Sequence, residues 1–191
     1  MLPAPAASLN DRTAPTLETE RLRLRAHRVA DHAPLAVISA DPITMRYLGG
    51  RPFTREESWA RMLRYPGLWQ LLGYGYWAIE DKASERYIGH IGYADYQRDI
   101  TPSIDGMPEL GWVLASDVHG RGYATEALQA VLAWGDAHLG KHRASCIISP
   151  ENAASICLAS KVGFRFSQEA IFHESVIHIF VRDRSASPTP D

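Results

Sequence analysis

Strands interleaved with helices predict an α/β or α+β domain of three layers. Three observations point there. Glu109 to Leu114 is a strand-like run, and after it Ala124, Leu128, Val131, Leu132 and Leu139 recur at helical spacing. A second strand-then-helix pattern follows, from His142 to Ile148 and from Ala153 to Val162. The chain has 191 residues, 46% of them hydrophobic, which is most simply one domain with a full core.

Taken in order, residues 1–16 are rich in Pro, Ala and Ser without a period and read as a disordered tail, as do residues 185–191. The domain is expected over 17–184. Arg21 to Ala26 alternates Arg and Leu, the pattern of a half-buried strand with its arginines in solvent. Asp31 is placed to cap a helix reaching Ser39, with Pro34 tolerated in the first turn. Asp41-Pro42 opens a turn or short helix through Tyr47, ended by Gly49 and Gly50. Thr54 with Glu57 fits a capping box for a helix to about Tyr65. Tyr74 to Glu80 and Tyr87 to Tyr96 form a hairpin across a polar turn. Residues 98–108 are a loop. The core strand Glu109–Leu114 then feeds a helix from about Arg121 to Leu139, roughly 28 Å long at 1.5 Å per residue. After Gly140 come a strand at His142–Ile148, a helix at Ala153–Val162 closed by Gly163, and strands at about 164–169 and 174–182.

The balance of charge excludes several classes. A net charge of −2 offers no basic field for nucleic acid, so no direct nucleic-acid binding is expected. Apolar stretches fall far short of the ~20 residues that cross a bilayer, and the first residues lack a basic, continuously apolar leader. Two cysteines, Cys146 and Cys157, suit a reducing cytoplasm, and their apolar neighbours make them packing residues rather than thiol carriers. The eight histidines show no metal-ligand spacing.

The turn His119-Gly120-Arg121-Gly122-Tyr123-Ala124 carries the chemistry. The first N–H groups of a helix lack internal partners, and the helix dipole adds partial positive charge there. Glycine lets the backbone approach a phosphate closely. No lysine follows Gly122, so this is not a Walker loop, and the third glycine of a dinucleotide fingerprint is missing. A plain strand-to-helix turn remains the alternative for the motif alone. A second stretch, from Ser149 through Asn152 and Ser155 to Lys161, Gly163 and Phe164, follows the next strand. Together the two stretches resemble the acetyl-CoA-binding motifs of the GNAT superfamily of N-acetyltransferases. The segments Thr19 to Arg25 and Asp41 to Leu48 resemble its ribosomal-protein-alanine, RimJ/RimL-like branch. The resemblance runs over about 17–183.

That resemblance implies a mixed, V-shaped sheet of about seven strands flanked by about four helices, split between the core strand and the one after the long helix. It also implies acetyl-CoA as co-substrate, with no metal. The backbone from His119 through Gly120, Arg121, Gly122, Tyr123 and Ala124 to Thr125 is expected to hold the pyrophosphate. Arg121 either adds charge or is a surface arginine. The backbone of Trp112, Val113 and Leu114 pairs with the pantothenate arm, and Asn152 either bonds that arm, caps the helix at Ala153, or both.

An ammonium is no nucleophile, so a base is needed. Glu109 is the candidate: it begins the core strand beside Gly111, the resemblance implies a carboxylate there, and a buried carboxylate holds a proton more tightly, which suits work near neutral pH; an ordinary strand-end glutamate is the alternative. His90, Tyr93, His119 and water are its rivals. The superfamily resemblance implies a tyrosine acid seven residues after the motif asparagine, where this chain has Ala159; the branch resembled implies Ser155 as the acid, with a capping or packing serine as the alternative, and a thiolate can leave without an acid. A backbone N–H near Val113 can support the oxyanion. Some of Tyr47, Phe53, Trp59, Tyr65, Trp69, Tyr74, Tyr76 and Trp77 are expected to wall an acceptor cleft, with Arg46 and Arg64 facing an acidic acceptor. The acceptor is a protein N-terminus or a small amine, and the sequence does not decide between monomer and homodimer. A non-catalytic acyl-CoA-binding module and an unrelated phosphate-binding enzyme are the competing readings.

Overall fold

The computed structural model describes residues 12–140 and 143–183. Its elements are β1 (Leu17–Glu18), β2 (Leu22–Arg25), α1 (His32–Ala40), α2 (Pro42–Met45), α3 (Arg55–Leu72), β3 (Tyr76–Asp81), β4 (Arg86–Ala94), β5 (Glu109–Leu114), α4 (Tyr123–His138), β6 (Arg143–Ile148), α5 (Ala153–Lys161), β7 (Arg165–Phe172) and β8 (Ser175–Asp183). One sheet of 8 strands runs β1-β2-β3-β4-β5-β6-β8-β7. The strand beyond the expected seven is β1, two residues long and too short to show a period.

The sheet is antiparallel except between β5 and β6. There the pairing is parallel, with the single register pair Glu109↔Ser145, supported by Ser145 N–H donating to the Pro108 carbonyl at 2.9 Å. Beyond that rung the two strands part, which gives the V expected of the sheet.

Side-chain alternation sorts the two faces. Leu110 and Leu114 of β5 join Leu22, Leu24, Trp77, Ile79, Ile88 and Ile91 under α4, whose Ala127, Leu128, Val131 and Leu132 are buried. Burying each of α4's larger side chains contributes about 1.5–3 kcal/mol. Val113 faces the other way, with Tyr76, Ala78 and Ala94, against Leu35 and Ile38 of α1 and Met62 and Tyr65 of α3. Over β7 and β8, Ile100 and Ile104 of the long loop complete that layer.

Several expectations change. Helix α3 runs past Pro66 to Leu72 and ends at Gly73 in the left-handed conformation. A mid-helix proline costs one hydrogen bond and about 3 kcal/mol. The buried Trp69 beyond it, whose Nε1 donates to the Tyr76 carbonyl at 3.1 Å, anchors the extra turns. Asp31 stands before α1 but its carboxylate does not cap it. It accepts instead from Arg25 at 2.8 and 2.9 Å and from the Arg28 N–H at 2.7 Å. The arginines of β2 are therefore not a solvated face: Arg25 is buried between Asp31 and Glu80, and Arg23 also reaches Glu80. Ala14 is buried and the Pro15 carbonyl accepts from Trp77 Nε1 at 2.7 Å, so packing starts before residue 17. The remainder of the expected tails, 1–11 and 185–191, and the first residue of the expected strand at His142 lie outside the described residues. Cys157 is exposed on α5, contrary to expectation, whereas Cys146 is buried and its thiol is pushed up by that burial.

Candidate active site

Parallel neighbours point the same way, so the loop after β5 and the loop after β6 both emerge at the open end of the V. Ligands of α/β sheets lie at such a point. Gly120 and Gly122 take φ of 72° and 82°, the left-handed region that glycine tolerates, and Gly122 is the N-cap of α4. No side chain among the described residues caps this helix. Among the described residues, the N–H groups from Gly120 to Thr125 meet no acceptor, while Glu126 N–H already donates to the Gly122 carbonyl at 3.1 Å. The His119 N–H is not part of this set, because it donates to the Ser116 carbonyl at 3.2 Å.

The mouth is open. A Cβ on Gly120 would meet nothing within 4 Å, and one on Gly122 would meet Arg21 Nη2 at 3.3 Å. Arg21 and Arg121 lie on the Tyr123 ring, 4.5 and 5.1 Å from its centroid. Arg21 also donates to the Arg121 carbonyl at 2.9 Å and to Glu126 at 2.7 Å, tying the N-terminal strands to the first turn of α4. No local pattern in the sequence marks this clamp, because Arg21 and Glu126 are 105 residues apart.

The backbone of β5 divides by parity. Ala115 N–H donates to the Ile88 carbonyl, so Ala115, and by alternation Val113 and Gly111, turn toward β4. The Pro108 carbonyl accepts from β6, so Pro108, Leu110, Trp112 and Leu114 turn toward the gap. The N–H of Val113 is thus taken by β4, and donors near it that face the gap belong to Trp112 and Leu114. The Leu114 carbonyl accepts from His119 Nε2 at 3.0 Å, which fixes that ring as a brace.

Across the gap, Asn152 Oδ1 accepts the Ser155 N–H at 3.1 Å, capping α5. Its amide donors and the Ser155 hydroxyl meet no partner among the described residues.

Glu109 is 5% exposed and lies at the closed end of the V. It is not alone: Arg98 donates to both oxygens, at 2.6 and 2.8 Å. Arg98 is itself held between the rings of Tyr96 and Phe172, 4.7 and 4.9 Å away. Nothing in the loop sequence marks Arg98, since only the fold returns residue 98 to the start of β5. A shallow depression lined by Tyr96, Arg98, Ile104, Met107 and Glu109 opens here. On the same face the Tyr76 hydroxyl sits above Gly111, 2.2 Å from where a Cβ would be. That approach is what requires glycine at 111.

Of the rival bases, Tyr93 is buried on the α4 side against Gly135, and burial raises its hydroxyl. His90 is buried, bonded through Nδ1 to the Tyr87 hydroxyl at 3.0 Å, and burial lowers it far below the ordinary imidazole value. Of the expected cleft aromatics, Tyr65 and Tyr76 stack at 4.8 Å near this face. Trp69 and Trp77 join Trp134 in the core instead. Arg46 and Arg64 are exposed.

A family model described as an acetyltransferase (GNAT) domain matches residues 21–165. The chain belongs to the GNAT acetyltransferase family. It is an N-acetyltransferase of that family, whose members use acetyl-CoA. The uncharacterized protein YkkB of Bacillus subtilis (strain 168) is 31% identical over 156 residues, covering 80% of this chain and 86% of that one. An acetyltransferase from Agrobacterium tumefaciens superposes with TM-score 0.76 at 28% identity, covering 88% of this chain and 94% of that one. The ribosomal alpha-N-protein acetyltransferase RimL, in complex with coenzyme A, shares the fold with TM-score 0.72 at 15% identity, over 91% of this chain and 100% of that one. The fold is the α+β GNAT fold, an 8-stranded mixed sheet with four main helices. Among the described residues, no helix is long and apolar enough to cross a membrane.

The donors at the mouth of α4 suit a diphosphate, because unpaired N–H groups on a positive dipole end need an anionic acceptor. The unpaired edge of β5 suits an amide-bearing arm. The residues present therefore fit acetyl-CoA.

Proposed function

We propose that this GNAT enzyme acetylates a primary amine, a protein N-terminus or a small molecule, by direct transfer in a ternary complex in the cytoplasm. The observation that carries the reading is the run of unpartnered N–H groups from Gly120 to Thr125, opening onto the free edge of β5. Bound acetyl-CoA supplies the activated acyl group. The backbone from Gly120 through Arg121, Gly122, Tyr123 and Ala124 to Thr125 grips its diphosphate. Trp112 and Leu114 pair with the arm, flanking Val113, while the Asn152 amide donates from the other wall.

The chain's own chemistry is proton handling and charge support. Glu109 takes the amine proton, directly or through water: a carboxylate has about four lone-pair sites, so two remain after Arg98 has used its share. The Leu114 or Trp112 N–H supports the carbonyl oxygen where negative charge develops. Ser155, whose hydroxyl meets no partner among the described residues, passes a proton to the departing thiolate while taking one from water, and the proton on Glu109 leaves to solvent. Cys146 is too buried to carry an acyl group, which favours direct transfer. Two unpaired cysteines accord with a reducing compartment.

Titration calorimetry with acetyl-CoA tests the site. Saturable 1:1 binding is expected, weakened by inorganic pyrophosphate. No heat at millimolar ligand would remove the site and the reading built on it.

A further inference from the structure

Arginine pairing across the molecule singles out one residue. Arg21, Arg23, Arg25, Arg98 and Arg182, all out of full exposure, each hold a carboxylate: Glu126, Glu80, Asp31, Glu109 and Asp136. Arg61 of α3 is also only partly exposed, yet among the described residues it has none. Its Nε donates to the Tyr65 hydroxyl at 3.2 Å, and the Phe53 ring lies 5.3 Å from its guanidinium carbon. The two Nη groups meet no acceptor among the described residues. A desolvated cation without a counter-ion is costly, so a site that keeps one is suited to receiving an anion.

The position is informative. Tyr65, whose hydroxyl accepts from Arg61, stacks on Tyr76 at 4.8 Å and lies 5.1 Å from the His90 ring. The Tyr76 hydroxyl in turn overlies Gly111, two residues along β5 from Glu109, and the Tyr96 ring lies 4.7 Å from the Arg98 guanidinium that holds Glu109. Tyr65 and Tyr76 therefore connect Arg61 to the face of β5 on which Gly111 and Glu109 lie. In the same cluster the buried His90 Nε2 has no partner among the described residues. An acceptor amine that reaches Glu109 along this face would carry its neighbouring substituents on the side of Tyr76 and Tyr65, where Arg61 stands.

We propose that Arg61 anchors a carboxylate of the acceptor, so that the acetylated amine belongs to a molecule with a carboxylate close to it. The planar fork of guanidinium N–H groups matches a carboxylate through two parallel hydrogen bonds. A free amino acid and a peptide with an acidic second residue share this chemistry. The inference rests on the acetyltransferase reading of the gap between β5 and β6.

The test uses the full chain with acetyl-CoA and matched acceptors, reading release of the coenzyme thiol. One arm compares amino acids with their amides. The other compares C-terminally amidated dipeptides carrying Asp or Glu with those carrying Asn or Gln at the second position. In one arm the carboxylate form should have kcat/KM about 10-fold or more above its neutral partner, as a charge-assisted bidentate contact gives, and that arm names the source. Arg61→Gln should bring the ratio near one without changing the KM for acetyl-CoA, and Arg61→Lys should keep part of it. Equal use of both forms, or a preference that survives Arg61→Gln, overturns the proposal. Should Arg61→Gln not fold, competition decides: the amine-free analogue of the better carboxylate must inhibit wild type, and absence of competition overturns it. Lost acetyl-CoA binding would bring down the acetyltransferase site as well, whereas intact binding without carboxylate preference removes this inference alone.

Discussion

At Glu109, burial and a bidentate partner act together on one carboxylate. A carboxylate sunk into the sheet without a cation would be costly, and Arg98 offsets that cost while leaving lone pairs for an amine or water. If Glu109 is the base, Glu109→Gln keeps the shape and one acceptor oxygen but removes the basicity. Turnover should fall by roughly 10²-fold or more, with acetyl-CoA affinity nearly unchanged. Stopped-flow thiol release and calorimetry on the same preparation check both halves, and undiminished turnover would assign the proton to water or another group. Glu109 was legible in the sequence as a carboxylate opening a core strand. Arg98 was not, because a loop residue 11 positions earlier gives no sign of where its side chain ends.

Among the elements, α5 is capped by a side chain for which a second role is proposed. Asn152 Oδ1 caps the helix, and its amide is free to meet a ligand. The substitution Asn152→Ser retains a hydrogen-bond acceptor for the Ser155 N–H but loses the amide donors. Thermal midpoint should stay close to wild type, whereas Asn152→Ala should lose about 1 kcal/mol of stability. Both variants should raise the KM for acetyl-CoA. An unchanged KM in Asn152→Ser would leave Asn152 a cap only. Helix α3 shows the limit of local reading. Thr54 and Glu57 announced its start by a capping box, and both bonds are present. Pro66 suggested its end, but Trp69 and Tyr65 pack into the interior and carry the helix on. Tertiary burial outweighs a local preference of a few kcal/mol.

Across the whole molecule, the side of the sheet under α1 holds groups whose charge state is set by folding. Burial lowers His27 to about 4, so the native ring is neutral where an unfolded one, near 6.5, is protonated. Between pH 6.5 and 4 the unfolded chain binds the extra proton, and stability falls as pH falls through that window. For Asp31 and Glu80, burial would raise the carboxyls, but Arg25 and its neighbours more than offset it and hold both below their usual values. Their contribution is present above the unfolded carboxylate range and is lost as pH drops further. The melting temperature should therefore decline from pH 7 to 5 through His27 and more steeply below 4 through the Arg25 network. His27→Phe should flatten the first part and leave the second. A melting curve that is pH-independent between 7 and 5 would contradict the burial of a neutral His27.

By itself the sequence determined the order of elements, the glycine turn before α4, the capping residues and the family. Each of these is written locally, as a period, a turn residue or a motif of contiguous residues, and local sterics and hydrogen bonding enforce it. The tertiary structure decided which charges meet. Arg21 with Glu126, Arg25 with Asp31 and Glu80, Arg98 with Glu109, and the absence among the described residues of any such partner for Arg61 follow from strand register and from helices crossing the sheet. Pairing of that kind depends on where a long flexible side chain is brought in space, which no spacing along the chain encodes.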